Sequence, residues 1–220
     1  MKKAVITGDI INSTALEQEV FVELIHKMED FIVALKENFD VKAEIYRGDS
    51  IQILVDQPKN ALKVALLLKT YIKGKVAQQK IKFNTKEFQQ LHFKPIFDIR
   101  IAIGIGEVEN EQAKLSVSQG EAFQLSGRLL DSMKNKQTLA IKTNDANSTF
   151  LETSLSLLDW QMNSTTQPQN EVLYHKLEGF TEVQIASFLG VNQSAVNQRS
   201  NAAGWQTIND FIQKFEHVYA

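Results

Sequence analysis

Strand-like and helix-like segments follow one another in a fixed order through the first 142 residues, and this order restricts the possible folds most strongly. Helical segments carry apolar side chains at every third or fourth position, and strand segments are short β-rich runs. The order is β-α-β-β-α-β-α-β, with strands at residues 4–10, 42–47, 50–56, 97–105 and 138–141. It contains a split βαβ arrangement and predicts an α+β fold, specifically a ferredoxin-like (βαββαβ), palm-type domain with an antiparallel-rich sheet.

The character of the chain changes after Asn144. Residues 151–162 form an amphipathic, helix-like segment, and residues 163–170 are a polar break that contains Pro168. The remaining residues are helix-periodic. We therefore predict a first domain over residues 1–145, a connecting helix and linker over 146–166, and a small all-α domain over 167–220.

Composition excludes several classes of protein. The chain has no cysteine, which removes disulfide scaffolds and thiol chemistry and agrees with a cytoplasmic location. It also has no apolar run of about 20 residues, so we expect no membrane partner. Its 24 basic and 26 acidic residues give a net charge of −2. Any contact with nucleic acid must therefore come from a local surface.

Two aspartates are predicted to meet at one end of the sheet. Asp9 ends the first strand and Asp49 lies at the tip of the hairpin, where Gly48 supplies the positive φ of a tight turn. Carboxylates held close together repel each other unless a divalent cation lies between them. This pair predicts a site for Mg²⁺ or Mn²⁺ of the kind that holds a nucleoside triphosphate.

The residues after Asp9 strengthen that hypothesis. Thr14 and Glu17 have capping-box spacing, so a helix is expected to begin here, and the backbone N–H groups of Ile11, Asn12, Ser13 and Thr14 could cradle phosphate oxygens. The alternative is that Asp9, Ser13 and Thr14 are ordinary cap residues and that Asp49 is an ordinary turn residue.

Four segments together resemble the successive motifs of the class III nucleotidyl cyclase catalytic domain. They lie at residues 9–14, 46–50, 98–107 and 120–129, so the resemblance covers about residues 3–142. It implies that Asp9 and Asp49 bind metal with the carbonyl of Ile10, that Gln124 orients the ribose, and that Arg128 stabilises phosphate. It also implies a homodimer, because the last two residues act in the other subunit's site. With its C-terminal part, the whole chain resembles the SatD family.

The sequence departs from the cyclase pattern where the base would be read. The family's adenine-reading lysine falls near Ala43, beside Lys42, and its partner falls near Val117. Gln124 replaces an asparagine, and no residue matches the transition-state lysine. The resemblance therefore favours nucleotide binding, or a different substrate, over ordinary cyclic AMP synthesis.

Residues 181–196 have the spacing of a helix-turn-helix. Ala186 is small enough to let a second helix approach, Gly190 turns the chain, and apolar side chains fill the space between the helices. The bundle resembles region 4 of sigma factors. The exposed side chains of the second helix are predicted to contact DNA, and they are Gln193, Ser194, Asn197, Gln198, Arg199 and Asn201.

Acidic residues outnumber basic ones in this region, since residues 161–220 hold three basic and five acidic residues. Dimerisation or docking of a protein partner is therefore the alternative to DNA contact. The leading hypothesis for the whole chain is a DNA-binding regulator that responds to a nucleotide. The alternatives are an active nucleotidyl cyclase or other nucleotide-converting enzyme, and a non-catalytic interaction protein with a vestigial cyclase fold.

Overall fold

The structure is a computed structural model that describes residues 1–11, 13–46, 48–76, 97–134 and 136–220. Asn12, one of the predicted phosphate-binding residues, lies outside the described residues. The sequence also predicts a flexible excursion around residues 84–90, and these residues too lie outside the described ones.

Six strands and eight α-helices make up the described chain, and their order agrees with the predicted order of the first domain. The strands are β1 (Lys2–Ile10), β2 (Val41–Tyr46), β3 (Ser50–Val55), β4 (Ile99–Asn110), β5 (Gln119–Gly120) and β6 (Leu139–Thr143). The helices are α1 (Gln18–Asn38), α2 (Ala61–Thr70), α3 (Glu121–Ser132), α4 (Ser148–Ser164), α5 (Gln167–Leu177), α6 (Glu182–Leu189), α7 (Gln193–Ala202) and α8 (Trp205–Val218). The predicted mixed α+β class is confirmed.

β1 lies in the middle of the sheet. Its neighbours β3 and β4 both run antiparallel to it, and β2 pairs antiparallel with β3 to form the hairpin. The strand order is β2-β3-β1-β4, β5 pairs with the far end of β4, and β6 pairs with β4 in parallel. The hairpin turn and the exit from β1 therefore lie at the same edge.

The two faces of the sheet are covered by different helices. Ile6 and Ile10 of β1 belong to the main core, which α1 and α2 cover. On the opposite face, Val5 packs against Ala122 and Phe123 of α3. Successive side chains of a strand point to opposite faces, so Asp9 shares the α3 face with Val5 and Thr7.

The C-terminal helices pack against the first domain. α4 lies along β6, and α5 contacts α2 and the π-helical turn Tyr71–Lys75 that follows it. Leu155 of α4, Tyr174 of α5 and Phe215 of α8 are buried in the same apolar cluster as the sheet. The main core is therefore continuous from β1 to α8.

Two helix boundaries differ from the sequence prediction. Helix α1 begins at Gln18 after a 3-10 turn at Ser13–Ala15, and its N-cap residue Glu17 makes no side-chain cap bond. The predicted Thr14 cap is therefore wrong, because an extended residue separates Thr14 from the helix. The polar residues from Lys73 onward predict that the second helical segment frays there. Instead, a π-helical turn at Tyr71–Lys75 follows α2 and buries the side chain of Lys73.

A short turn joins helices α6 and α7. Thr181 and Gln184 form a capping box at the start of α6, and the side chain of Asn192 caps α7 by accepting from the Ala195 N–H at 2.7 Å. Gly190 adopts the left-handed conformation between them, with φ of 64°. Among the described residues, no helix combines the length and the apolar character needed to cross a membrane.

Candidate functional site

Asp9 lies at the edge of the α3 face, one residue before the end of β1. Its register partners are Ser50 on β3 and Arg100 on β4. Arg100 donates a hydrogen bond from its guanidinium to Oδ2 of Asp9, and the two side chains are 37% and 25% exposed. This ion pair therefore lies at the rim of the sheet, open to solvent.

Asp49 lies at the same rim, on the hairpin turn next to Ser50. Its backbone carbonyl accepts a hydrogen bond from the N–H of Ile10 at 3.3 Å, which ties the turn to the exit from β1. The buried hydroxyl of Ser13 donates to Oδ2 of the Asp49 carboxylate. The structure thus brings together the two aspartates that are separated by forty positions in the sequence.

The donor chemistry of this rim fits a divalent cation. Carboxylate and carbonyl oxygens are hard ligands of the type that Mg²⁺ and Mn²⁺ prefer. Oδ1 of Asp9 and Oδ1 of Asp49 make no hydrogen bond to any other described residue. The described residues contain no group of three or more histidine, cysteine, aspartate or glutamate side chains that could hold a metal. A cation here would rest on two carboxylates and a carbonyl.

The backbone after Asp9 is only partly available for phosphate. The N–H of Ile11 donates to the carbonyl of Asp98 at 2.9 Å, so this amide is already used. Ser13 is buried and Thr14 is exposed. Because α1 begins at Gln18, these residues precede the helix and do not form its N-terminus. The prediction that the α-helix begins at residues 11–14 is therefore wrong.

Gln124 and Arg128 lie one turn apart on α3, and both side chains are exposed. The opposite side of α3 packs on the sheet, where Thr7 donates a buried hydrogen bond to Ser126 at 3.0 Å. Gln124 and Arg128 therefore point away from the sheet of their own chain.

The residues at the positions expected to read a base have other surroundings in this structure. Ala43 packs against the main core, on the face opposite Asp9. Lys42 forms an ion pair with Glu111, which also binds Lys3 at 2.6 Å. The lysines beside Glu111 lower its pKa, because hydrogen bonds from both favour the carboxylate. Val117 is 59% exposed.

Three polar residues of the α3 face were not singled out from the sequence. Arg100 is the ion-pair partner of Asp9. Glu44 accepts from the N–H groups of Leu115 and Ser116 at 3.0 and 2.6 Å, which holds the 3-10 turn Leu115–Val117 against β2. The side-chain oxygen of Gln52 is buried and has no partner among the described residues. In the sequence, Asp98 and Arg100 alternate with isoleucines. This alternation was the signal that could have indicated that Arg100 lies on the opposite face from the isoleucines.

The predicted DNA-contacting residues lie on one helix, α7, and all except the half-buried Arg199 are exposed. Several of them are engaged with neighbouring groups. The amide of Asn197 approaches Glu182 at 3.4 Å and accepts from Asn201 at 3.0 Å. Hydrogen bonds from Lys176, and more weakly from Asn197, lower the pKa of Glu182.

Arg199 faces a second acid. Burial raises the pKa of Glu171, and the nearby charge of Arg199 opposes that shift. The positive charge of Arg199 is therefore partly offset within the protein. Two acids, Glu171 and Glu182, therefore lie close to the residues predicted to contact DNA.

Comparison with known proteins gives a limited result. No protein-family model matches the sequence, and no curated protein matches it. Several solved structures with partial similarity are cyclases. The guanylyl cyclase Cya2 is 17% identical with a TM-score of 0.43, and the alignment covers 64% of this chain and 75% of that chain.

Two further solved structures have similar scores. The adenylyl cyclase CyaB from P. aeruginosa is 17% identical, with a TM-score of 0.43 and coverage of 64% of this chain and 76% of that chain. The guanylyl cyclase domain of the RhoGC fusion protein from Blastocladiella emersonii is 18% identical, with a TM-score of 0.43 and coverage of 60% and 74%. Similarity at this level assigns no activity or ligand to this chain.

Proposed function

We propose that this protein binds a nucleoside triphosphate together with Mg²⁺ or Mn²⁺ at the rim formed by Asp9, Asp49 and the carbonyl of Ile10. One observation carries the proposal. The carboxylate of Asp9 on β1 and that of Asp49 on the neighbouring hairpin turn lie at the same edge of the sheet, where the Ile10 N–H donates to the Asp49 carbonyl. A bound divalent cation would supply positive charge for the phosphate oxygens.

The protein's own residues prepare this rim. Ser13 holds the Asp49 carboxylate by donating to one of its oxygens, and Arg100 does the same for Asp9. Among the described residues, no hydrogen-bond donor contacts the other oxygen of either carboxylate, and we propose that these two oxygens bind the cation. Arg100 also offsets part of the repulsion between the two negative charges at this edge.

Gln124 and Arg128 are proposed to act in the site of a second subunit of a homodimer. Both side chains are exposed on α3 and turned away from the sheet of their own chain, which agrees with a role across an interface. In that position the amide of Gln124 would orient a sugar hydroxyl, and the guanidinium of Arg128 would contact phosphate oxygens.

The finer description of the fold also remains a proposal. We infer a ferredoxin-like first domain over residues 1–145, a connecting segment over 146–166 and a helix-turn-helix domain over 167–220. The strand order β2-β3-β1-β4 with antiparallel neighbours supports the first, and the short turn between α6 and α7 supports the last.

A thermal-shift series tests the nucleotide site. The protein is heated with ATP, GTP, CTP or UTP, each with Mg²⁺, and a ligand that binds only the folded state raises the melting temperature. Asp49→Asn should abolish the shift, because it removes one charged ligand of the cation. Glu152→Gln removes an acid from an exposed ion pair on α4 and should leave the shift unchanged. No shift with any nucleotide would exclude the proposed site.

Release of pyrophosphate separates binding from catalysis. An active nucleotidyl cyclase or other nucleotide-converting enzyme turns over one of the four triphosphates with Mn²⁺, and Asp49→Asn stops the reaction. A regulatory binding protein shows the thermal shift without turnover. A non-catalytic interaction protein with a vestigial fold shows neither.

DNA binding by α7 is the second candidate function, and with the first it would make a nucleotide-responsive regulator. The α6-turn-α7 geometry and the exposed Gln193, Ser194 and Gln198 favour it. The acids beside Asn197 and Arg199 reduce the attraction of this surface for DNA phosphates. We therefore expect weak DNA binding that is lost as the salt concentration rises.

A gel shift at low salt tests this candidate with promoter fragments. Gln198→Ala and Arg199→Ala should reduce retention of the DNA. Gln206→Ala, an exposed residue on α8 outside the predicted surface, is the matched control. If the parent protein retains no fragment, α7 is left with the partner-docking role.

A further inference from the structure

Two lysines of the α2 region are buried in the protein interior. Lys69 is 0% exposed and Lys73 is 1% exposed, although both lie on the side of the helix that otherwise carries leucine and isoleucine. A methionine or leucine at either position would fill the same space without the cost of removing a charge from water. The contacts of the two amines therefore need an explanation.

Lys69 uses all three of its donor protons. Its Nζ lies 2.7 Å from Oδ1 of Asp98, 2.9 Å from Oγ1 of Thr138 and 3.2 Å from the carbonyl of Ile99. An ammonium group has three protons to donate, so this group is fully satisfied. It holds the first residues of β4 and β6 in fixed positions relative to α2.

Lys73 continues the network toward α4. Its Nζ lies 3.8 Å from Oδ2 of Asp98 and donates to the carbonyl of Met162 in the last turn of α4. A second link joins the same helix, since Asp159 of α4 accepts from Oγ1 of Thr138 at 2.7 Å and from its N–H at 3.1 Å. The carboxylate of Asp98 is thus placed between two amines and connected to α4.

The main chain of Asp98 contacts the residues that follow β1. Its carbonyl accepts the N–H of Ile11 at 2.9 Å, two residues after Asp9. Its own carboxylate accepts the N–H of Ile99 at 2.8 Å, which fixes the geometry of the residue. Asp98 therefore holds the exit from β1 through its carbonyl and is itself held through its carboxylate.

We infer that Asp98 is a positioning residue for the nucleotide site, and that Lys73 links it to α4 so that ligand binding and the position of α4 affect each other. The inference rests on the proposed nucleotide function. A shift of Ile10 or Ile11 on ligand binding is passed to Asp98, and a change in α4 alters ligand affinity by the same factor, because linkage between two sites is reciprocal.

Trp160 provides the measurement. The chain has only two tryptophans, and Trp160 follows Asp159 on α4 with 73% exposure. In a Trp205→Phe background, the fluorescence of Trp160 is followed during titration with ATP, GTP, CTP or UTP in the presence of Mg²⁺. Excitation is at the red edge of the tryptophan absorption, where nucleotides do not absorb. Nucleotide binding itself is measured in parallel by equilibrium dialysis.

We expect a saturable change in Trp160 emission in the background protein. Lys73→Met should bind nucleotide and lose the emission change, whereas Lys73→Arg, which keeps a charged donor, should retain it. Asp98→Asn should weaken nucleotide binding about tenfold, which is within the usual range of coupling between sites. Lys142→Met, which breaks an exposed ion pair to α4, is the matched control and should change neither quantity.

The outcomes separate the two proposals. If the background protein binds none of the nucleotides in dialysis, the proposed function fails and this inference fails with it. If nucleotide binds and Trp160 emission stays constant, the nucleotide site survives and the link to α4 is wrong. The link to α4 is also wrong if folded Lys73→Met keeps the full emission change. If Lys73→Met does not fold, the titration of the background protein still tests the link.

Discussion

The guanidinium of Arg100 donates to the carboxylate of Asp9 across the β1–β4 pair, at the edge where Asp49 also lies. Among the described residues, Arg100 is therefore the cationic partner of Asp9. Arg100 lowers the electrostatic cost of holding the two carboxylates together, and it competes with any metal ion for Asp9.

Removal of Arg100 should strengthen binding of a metal ion in the absence of nucleotide. Arg100→Ala removes the ion-pair partner of Asp9, and a partly exposed ion pair of this kind contributes up to about 1 kcal/mol. We expect the affinity for Mn²⁺ to rise up to roughly fivefold, measured as free Mn²⁺ by electron paramagnetic resonance. Lys142→Ala serves as the control. Weaker Mn²⁺ binding by Arg100→Ala would contradict this competition and show that the hold of Arg100 on Asp9 outweighs it.

Gly104 is required by the contact between β4 and α3. A Cβ atom at this position would lie 2.4 Å from the carbonyl oxygen of Ala122 and 2.5 Å from the N of Ser126, both of which are backbone atoms. Gly104→Ala should therefore destabilise the protein by about 1–3 kcal/mol, because α3 must move away from the sheet. Urea unfolding measures the loss.

A second glycine, on α3 itself, gives the matched comparison. A Cβ atom at Gly127 would have no other atom within 4 Å among the described residues, and the backbone is helical there. Gly127→Ala should stabilise the protein by about 0.5–1 kcal/mol through the higher helix propensity of alanine. Equal effects of the two substitutions would contradict the close packing of α3 on Gly104.

Burial of Lys73 should make stability rise with pH in the alkaline range. Burial lowers its pKa to about 8, although Asp98 and Asp159 favour the charged form and Lys69 disfavours it. In the unfolded chain the pKa returns to its ordinary value of 10.5. Above about pH 8 the unfolded state therefore binds more protons than the folded state, and the free energy of unfolding increases with pH.

The clearest range for this measurement ends near pH 10. Burial raises the pKa of Tyr71 and Tyr219 to about 12, so above about pH 10 the folded state binds more protons at these residues and the trend reverses. Between these limits Lys73 contributes about 1 kcal/mol per pH unit. Urea unfolding of Lys73→Met should show a flatter pH dependence than the parent, whereas Lys142→Met should keep the parent slope.

Gly190 should matter for its backbone conformation alone. Its φ of 64° is left-handed, and nothing among the described residues lies within 4 Å of the position that a Cβ would take. Gly190→Ala should cost about 1–2 kcal/mol, and Gly190→Asn should cost less because asparagine tolerates this conformation. Both are compared by thermal unfolding. A larger cost for asparagine would show that packing, and not φ, controls the turn.

Much of the fold could be predicted from the sequence because local patterns determine it. The β-rich run of β1 and the helical periodicity of α1 follow from which side chains must leave water, and Gly48 and Gly190 mark turns through their conformational freedom. These signals gave the order of elements and the mixed α+β class. The start of α1 was predicted too early. Thr14 is a residue type that commonly caps helices, but the N-cap residue of α1 is Glu17, which adopts an extended conformation.

The buried lysines could not be interpreted in the same way. Lys69 and Lys73 have the spacing of the apolar stripe of α2, which was the only signal in the sequence that they face inward. Nothing local indicates that Asp98 and the Met162 carbonyl would be present to receive them, because those groups come from β4 and α4.

The sequence by itself determined the elements, their order, and the placement of one acid at the end of β1 and another at a hairpin turn. Only the tertiary structure decided that Arg100 neutralises Asp9, that Ser13 holds Asp49, and that the Ile11 N–H is bonded to Asp98. The physical reason is that secondary structure depends on interactions within a few residues. The charge balance and the available donors of a site depend on strands and helices that meet only when the chain has folded.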